Sequence, residues 1–252
     1  MDAKNCEDEY THPTADLIYT ERNIPGPGVD GAEFESEFVV GCACEAQCSS
    51  GDCSCTLGKP NYENDRLVED KVGPTVECNS HCLCGETCGN RLVQRGPLGC
   101  LNVVEAQGRG LGLSTSRLIR KGQFICEYAG EVVGLEEAKK RLERNGRGDN
   151  YVLVVNEHVG GKTITTCIDP RFIGNVGRFC NHSCEANSRL VPVRVEKASP
   201  RVALFARRDI EPGEEVTFNY ADGVETSVHN ISETPCLCGS STCLRYLPHH
   251  SV

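Results

Sequence analysis

The chain lacks the features that would mark a membrane or nucleic-acid protein. No apolar run approaches the length of a membrane span. The opening residues, MDAKNCEDEYTHPTADL, are polar, with no apolar stretch of the kind that follows Met1 in a secretory signal. Basic residues are in the minority: 26 Lys and Arg against 36 Asp and Glu leave a formal charge of −10. Phosphate binding needs clustered Lys and Arg, so this balance argues against a strong DNA-binding face in the segment and suits a basic partner. There is no internal repeat and no low-complexity tract. Cysteine is the opposite case, with 18 in 252 residues. A secreted protein would pair them as disulfides, and Asn-x-Ser triplets begin at Asn181 and Asn230. Such triplets arise often by chance, and the expected setting is a reducing compartment with metal-bound cysteine.

The length allows one large or two small domains with a real core. Residues 1–41 are polar, carry IPGPG at 24–28, and read as an irregular lead-in ending in FVVG. From Asn90 onward the pattern is short β-type runs: 101–106, 124–133, 151–156, 163–169, 191–196, 202–206 and 215–220. Each is β-branched or aromatic and bounded by Gly, Pro or Asn. GLEEAKKRLERNG, 134–146, is the one surface helix expected, with Leu135, Ala138 and Leu142 at helical spacing and Gly146 past its end. The body is therefore expected to be mainly β, behind an N-terminal module organised by cysteine.

That module holds Cys42, Cys44, Cys48, Cys53 and Cys55, then Cys78, Cys82, Cys84 and Cys88. Cysteines two apart aim their thiolates at neighbouring metals more easily than at each other, and the Gly, Ser and Asn between them allow tight turns. Nine thiolates cannot fill separate tetrahedral zinc sites, but they fill three if three sulfurs bridge. Buried free cysteine is a poor alternative, because the surrounding sequence is too polar to hide it. His81, inside the second group, reads as a bystander.

RFCNHSCEAN, Arg178 to Asn187, raises a different question. His182 between Cys180 and Cys184 could be a zinc ligand, a general base or neither. Near the end, PCLCGSSTC supplies Cys236, Cys238 and Cys243. Three thiolates leave one zinc position open, and Cys184 is the natural donor, which would clamp the late segment over the NHSC segment.

In their order, GRGLGLS, EYAGEVV, GNVGRFCNHSCEAN, GEEVTFNYAD and the two cysteine modules resemble a SET-domain histone-lysine methyltransferase, over roughly residues 42–247. The subgroup resembled has pre-SET and post-SET zinc modules; within it the likeness is to members fused to a mariner transposase. On that reading the chain is a truncation, and the fused transposase domain would bind DNA. The resemblance implies a SET fold of short sheets with knot-like C-terminal threading, preceded by a three-zinc module and closed by a one-zinc loop. It implies a lead-in at 1–41, a pre-SET cluster at 42–90, a SET domain at 91–222 and a post-SET loop and tail at 223–252.

By the same resemblance Asn181 and His182 are contacts to S-adenosyl-L-methionine and not zinc ligands. Arg109, Gly110, Leu111, Tyr151, Arg178 and Leu237 are further cofactor contacts. Cys180 occupies a position commonly apolar in the family and reads as a packed thiol. The chain has no tryptophan, and Leu111 stands where the family often has one. A Rossmann reading of GRGLG fails, because GxGxxG is not completed. Tyr220 resembles the catalytic tyrosine, with Tyr128, Tyr151 and Phe218 lining a lysine channel. Expected partners are a basic histone H3 tail and the nucleosome, in nuclear chromatin, with no membrane. Thirteen thiolates holding four Zn²⁺ would take the charge from −10 to near −15, which favours a basic peptide further. Phe218 implies addition of two or more methyl groups. The alternatives are a chromatin peptide-binding module without activity and a methyltransferase of a non-histone lysine.

Overall fold

The computed structural model describes residues 17–37, 41–48, 53–56, 58–69, 74–145, 150–159, 161–221 and 231–248. Most of the FVVG run, Gly146 and the start of the lead-in lie outside them. The first third carries β1 (Ile18–Tyr19), β2 (Ile24–Pro25), α1 (Gly31–Phe34), β3 (Tyr62–Glu63), β4 (Arg66–Leu67) and β5 (Thr75–Val76). There follow β6 (Leu101–Glu105), β7 (Leu111–Thr115), β8 (Phe124–Glu127), β9 (Gly130–Val133), α2 (Leu135–Asn145), β10 (Leu153–Val159) and β11 (Lys162–Gly174). The last part holds β12 (Asn181–His182), β13 (Ser188–Arg194), β14 (Arg201–Ala206), β15 (Glu215–Phe218), β16 (Ile231–Pro235) and β17 (Tyr246–Pro248). The mainly β expectation holds.

Three sheets carry the body. One runs β1-β11-β9-β2 with β10 also on β11, the second runs β12-β15-β7-β6, and the third runs β5-β13-β14-β8. The lead-in departs from the irregular reading: β1 and β2 add parallel strands at Ile173 and Glu131. Strands of two residues carry no period, so sequence could not announce them. The run 124–133 also divides. β8 pairs with β14 and β9 with β11, leaving Tyr128 and Ala129 at the crossing between sheets. Gly130 makes that crossing possible, since a Cβ there would lie 2.7 Å from the Asp169 carbonyl oxygen.

The helix α2 differs from expectation at one position. Ala138 is fully buried and Leu142 partly so, against Val133, Val152, Val154 and Cys167. Leu135 is 44% exposed, because it opens the helix before the buried stripe begins. Arg141 fastens the helix to the sheet, donating to Glu131 at 3.0 Å, Glu137 at 3.0 Å and Asp169 at 2.9 Å.

The cysteine module is held to the body by buried polar bonds. β5 pairs in parallel with β13, and the Glu77 N–H donates to the Arg194 carbonyl at 2.8 Å. The Glu77 carboxylate is fully buried and accepts from the Tyr62 hydroxyl at 2.8 Å, the Val93 N–H at 2.7 Å and the Gln94 amide at 2.8 Å. A buried charge is tolerable only when its lone pairs are satisfied in this way. Arg194 in turn makes a two-pronged ion pair with Glu157 of β10, at 2.6 and 2.9 Å.

Candidate functional site

The nine N-terminal cysteines gather into one cluster. The sulfurs of Cys42, Cys44, Cys48 and Cys53 lie within 4.8 Å of one another, as do those of Cys48, Cys78, Cys84 and Cys88. Cys55 and Cys82, 3.6 Å apart, complete the cluster beside Cys42 and Cys78. The groups overlap, sharing Cys42, Cys48, Cys53, Cys78 and Cys84, and sulfurs shared between sites are what three metals need in order to take four sulfurs each from nine. Crowded thiols cannot all ionise alone: burial and neighbouring sulfurs push Cys48 far up, while against burial hydrogen bonds hold Cys53 at about 7. A divalent cation supplies the missing positive charge, and an all-sulfur tetrahedral donor set is that of structural zinc. N–H groups point at the sulfurs, from Asn79 to Cys82 at 3.2 Å and from the Asn90 amide to Cys78 at 3.3 Å. The Arg91 guanidinium donates to the Asn79 carbonyl at 2.7 Å and approaches the Cys84 sulfur at 3.8 Å. His81 is half exposed and faces Glu37, outside the sulfur groups.

A second sulfur group joins Cys184 to Cys236, Cys238 and Cys243, again within 4.8 Å. Here too the donors suit zinc. Burial raises the Cys236 thiol to about 12; burial also raises Cys238, but bonds from Ser240 and the Cys184 backbone outweigh it and bring that thiol to about 6. The β16–β17 hairpin carries three of the four sulfurs, and the N–H groups of Leu244 and Arg245 donate to Cys184 and Cys243 at 3.4 and 3.3 Å.

Beside this group lies the cleft. The β6–β7 turn uses positive φ at Gly108 (73°) and Gly110 (71°), where a side chain would be strained. It closes with Arg109 N–H donating to the Ala106 carbonyl at 2.9 Å. A cavity of about 520 Å³ is lined by Glu105, Ala106, Gln107, Gly108, Gly110 and Leu111 of this turn. Leu237 of the segment that carries these cysteines lies beside the turn, its Cδ1 3.4 Å from where a Gly108 Cβ would be. Leu237 thus comes to Gly108, in the turn that also carries Arg109, Gly110 and Leu111.

Asn181 and His182 reach the same place through β12, which pairs in parallel with β15, Asn181 beside Thr217 and His182 beside Phe218. The Asn181 amide donates to the Leu111 carbonyl at 3.0 Å. His182 Nδ1 accepts the Tyr220 N–H at 3.2 Å, so its proton sits on Nε2, which lies 3.4 Å from the Cys184 sulfur. The ring thus stands between the sulfur group and Tyr220, outside the four-sulfur set.

The aromatics form a continuous wall. Phe218 meets Tyr128 edge-on at 5.9 Å and Tyr220 at 4.9 Å. The Tyr128 hydroxyl donates to the Tyr151 carbonyl at 2.7 Å, and the Tyr220 hydroxyl to the Cys180 carbonyl at 3.2 Å. Burial raises both phenols well above their ordinary range, so they act as neutral hydrogen-bonding groups. Arg178 stacks over Tyr151 at 4.4 Å and donates to the Pro170 carbonyl at 3.0 Å. Among the described residues its contacts run to Tyr151, Phe179 and the Pro170 and Arg171 carbonyls, and none to the glycine turn. Cys180 is buried as a packed thiol.

Two further residues, Asn187 and Glu215, lie inside RFCNHSCEAN and GEEVTFNYAD but have no individual signal there. Glu215 receives Arg109 at 2.6 Å and Asn181 at 2.8 Å. Asn187 Oδ1 accepts the Thr217 N–H at 2.9 Å while its amide donates to the Glu215 carbonyl at 2.8 Å. The one available signal for Glu215 is the acidic pair opening GEEVTFNY, which reads equally well as an ordinary strand start.

A three-sheet β body, a glycine-turn cleft, an NHSC segment threaded beside the FNY strand and two all-cysteine groups define a SET-domain lysine methyltransferase. The SET domain pattern matches residues 110–221 and the Pre-SET motif residues 3–91. The chain belongs to the SET-domain histone-lysine N-methyltransferase family. It is similar to the histone-lysine N-methyltransferase SETMAR of Rattus norvegicus, 40% identical over 252 residues that span 92% of this chain and 79% of that one. The crystal structure of the methyltransferase domain of human SETMAR superposes with a TM-score of 0.85 at 37% identity, covering 96% of this chain and 92% of that one. KRYPTONITE, solved with mCHH DNA, an H3(1-15) peptide and SAH, gives 0.74 at 28% identity, covering 96% of this chain and 50% of that one.

Proposed function

We propose that the chain transfers methyl groups from S-adenosyl-L-methionine to a lysine of the histone H3 tail, adding two or more. The observation that carries this is the parallel pairing of β12 with β15, which sets Asn181 and His182 against Phe218 and Tyr220 beside the glycine-turn cleft. Support for the cofactor comes from KRYPTONITE, whose complex holds SAH, and support for the substrate from the H3 peptide in that complex.

The cofactor supplies an electrophilic methyl group next to a positive charge. The residues that would hold it are Arg109, Gly110, Leu111, Asn181, His182 and Leu237 around the turn, with Tyr151 and Arg178 at the wall. A lysine with ordinary pKa near 10.4 is almost wholly protonated at neutral pH. Desolvation in an aromatic channel lowers that value, so orientation matters more than a strong base. Tyr220, held by Cys180 below and His182 behind, would orient the amine through its hydroxyl. Tyr128, whose hydroxyl donates to the Tyr151 carbonyl, lines the wall. Phe218 presents no hydroxyl, leaving room for a nitrogen that already carries methyl groups. The acidic charge suits a basic tail laid against a strand by main-chain bonds. Nuclear chromatin and the nucleosome are the setting this implies.

Radiolabelled methyl transfer to a tiled panel of histone peptides, read by mass spectrometry, tests the proposal. Labelling of an H3 peptide is the expected result. Cofactor binding without labelling of any basic peptide would turn the assignment to a peptide-binding module.

A further inference from the structure

Glu215 opens β15 and lies behind the cleft, its side chain only 22% exposed. Oε2 accepts from Arg109 Nη2 at 2.6 Å, and Oε1 accepts from Arg109 Nη1 at 3.3 Å and from Asn181 Nδ2 at 2.8 Å. The second hydrogen of Asn181 Nδ2 goes to the Leu111 carbonyl at 3.0 Å. Both amide hydrogens are thereby committed. Asn181 Oδ1, on the other branch of the planar amide, has no partner among the described residues. Gly112 leaves room for this arrangement: a Cβ there would lie 2.6 Å from Glu215 Oε1.

We infer that Glu215 is a positioning residue for the cofactor cleft, fixing the Asn181 amide so that its oxygen is the atom offered to a cationic group of the ligand, and holding Arg109 in the turn. The inference rests on the proposed cofactor. A side-chain amide exchanges acceptor for donor by a half-turn, so its direction is set by its neighbours. A carboxylate only accepts and receives both Asn181 and Arg109. A glutamine at the same place would bring two N–H groups among donors. The charged Arg109 keeps the remaining oxygen at its shorter, 2.6 Å contact, so the new NH2 faces the Asn181 nitrogen, and relief comes by turning Asn181 over, which abandons the Leu111 carbonyl and presents N–H to a positively charged ligand.

The test uses Glu215→Gln, Asn181→Asp and the double variant, each titrated calorimetrically with S-adenosyl-L-methionine and with its demethylated product, alongside thermal melting. In Glu215→Gln the dissociation constant for both ligands is expected to rise about tenfold, the scale of one charge-assisted bond. The rate at saturating cofactor should change by less than a few fold, and the melting temperature should stay put. Asn181→Asp sets two carboxylates and a carbonyl together and should lose at least as much affinity. In the double variant the introduced amide donates to the introduced carboxylate, whose second oxygen again faces the ligand. Its affinity should exceed that of both single variants. Unchanged binding in Glu215→Gln overturns the inference. So do losses that simply multiply in the double variant, or a loss matched by a fall in melting temperature. Failure of the native chain to bind either ligand would instead refute the proposed cofactor, whatever the variants do.

Discussion

Serine in place of Cys238 removes one of the four sulfurs that gather Cys184, Cys236 and Cys243. Part of what else holds the segment Ile231–Pro248 is weak and exposed. The Glu185 carboxylate accepts from Ser241 at 3.0 Å and Thr242 at 2.7 Å, both exposed, and Leu237, 55% exposed, packs on the glycine turn. Exposed bonds of this kind contribute about 1 kcal/mol each or less. A two-stranded hairpin such as β16–β17 is marginal on its own. Ordering costs about 1 kcal/mol or more per residue, so anchors of this kind are small against the cost of ordering the segment. A structural zinc contributes roughly 10–16 kcal/mol of binding energy to its fold. Cys238→Ser should therefore release one zinc, free the segment and lift Leu237 from the cleft. The main apolar core contains no residue of this segment, so its melting should shift little. We expect methyl transfer to fall at least about 100-fold, the usual cost of a misplaced site. Elemental analysis should show three zincs, limited proteolysis should cut within 231–248, and thermal melting should report an intact body. Full activity in a protein retaining three zincs would refute the reasoning.

Protein purified without added metal should contain four zinc ions per chain; a ratio near one would remove the N-terminal cluster. His182→Ala should raise the cofactor dissociation constant while zinc stays at four, because four sulfurs group without the ring; loss of one zinc would make His182 a ligand after all. Phe218→Tyr should shift a native product of two or three methyl groups to mainly one. Tyr220→Phe should be nearly inactive, losing far more on the first methyl than Phe218→Tyr does. Time-resolved mass spectrometry of one peptide separates the two, and a native chain that stops at one methyl would overturn the role given to Phe218.

Chemistry at short spacing is legible in the amino-acid order. Cysteines two to five apart announce sulfur groups, and β-branched runs bounded by Gly and Pro announce strands. Direction across sheets is not legible there. The run 124–133 has the pattern of one strand, and only the crossing at Gly130 against Asp169 shows why Tyr128 turns towards the wall. Leu111–Thr115 follows and shares the glycines of GRGLGLS, which hide the strand it forms. Leu135 fits the helical stripe but lies ahead of the surface that α2 buries. Glu215 is hidden because its partners stand 106 and 34 residues away, at Arg109 and Asn181, beyond any local pattern.

Those separations bear on the order in which the molecule assembles. The β10–β11 and β13–β14 ladders join neighbouring stretches of chain and can zip from their turns. The β12–β15 pairing spans only two residues a side, and the Tyr220 to His182 bond closes a loop of 38 residues for that small return. Loop closure is costly before such contacts exist and weakly rewarded once they do. The ladders should thus form early and the cleft last, and on partial opening the cleft should be first to come apart. In hydrogen exchange the amides of Asn181, Thr217 and Tyr220 would trade protons through a lower-energy opening than those of Leu204 and Val193. The cleft proposed for methyl transfer is then a loose joint of the body, free to breathe while the sheets around it stay shut.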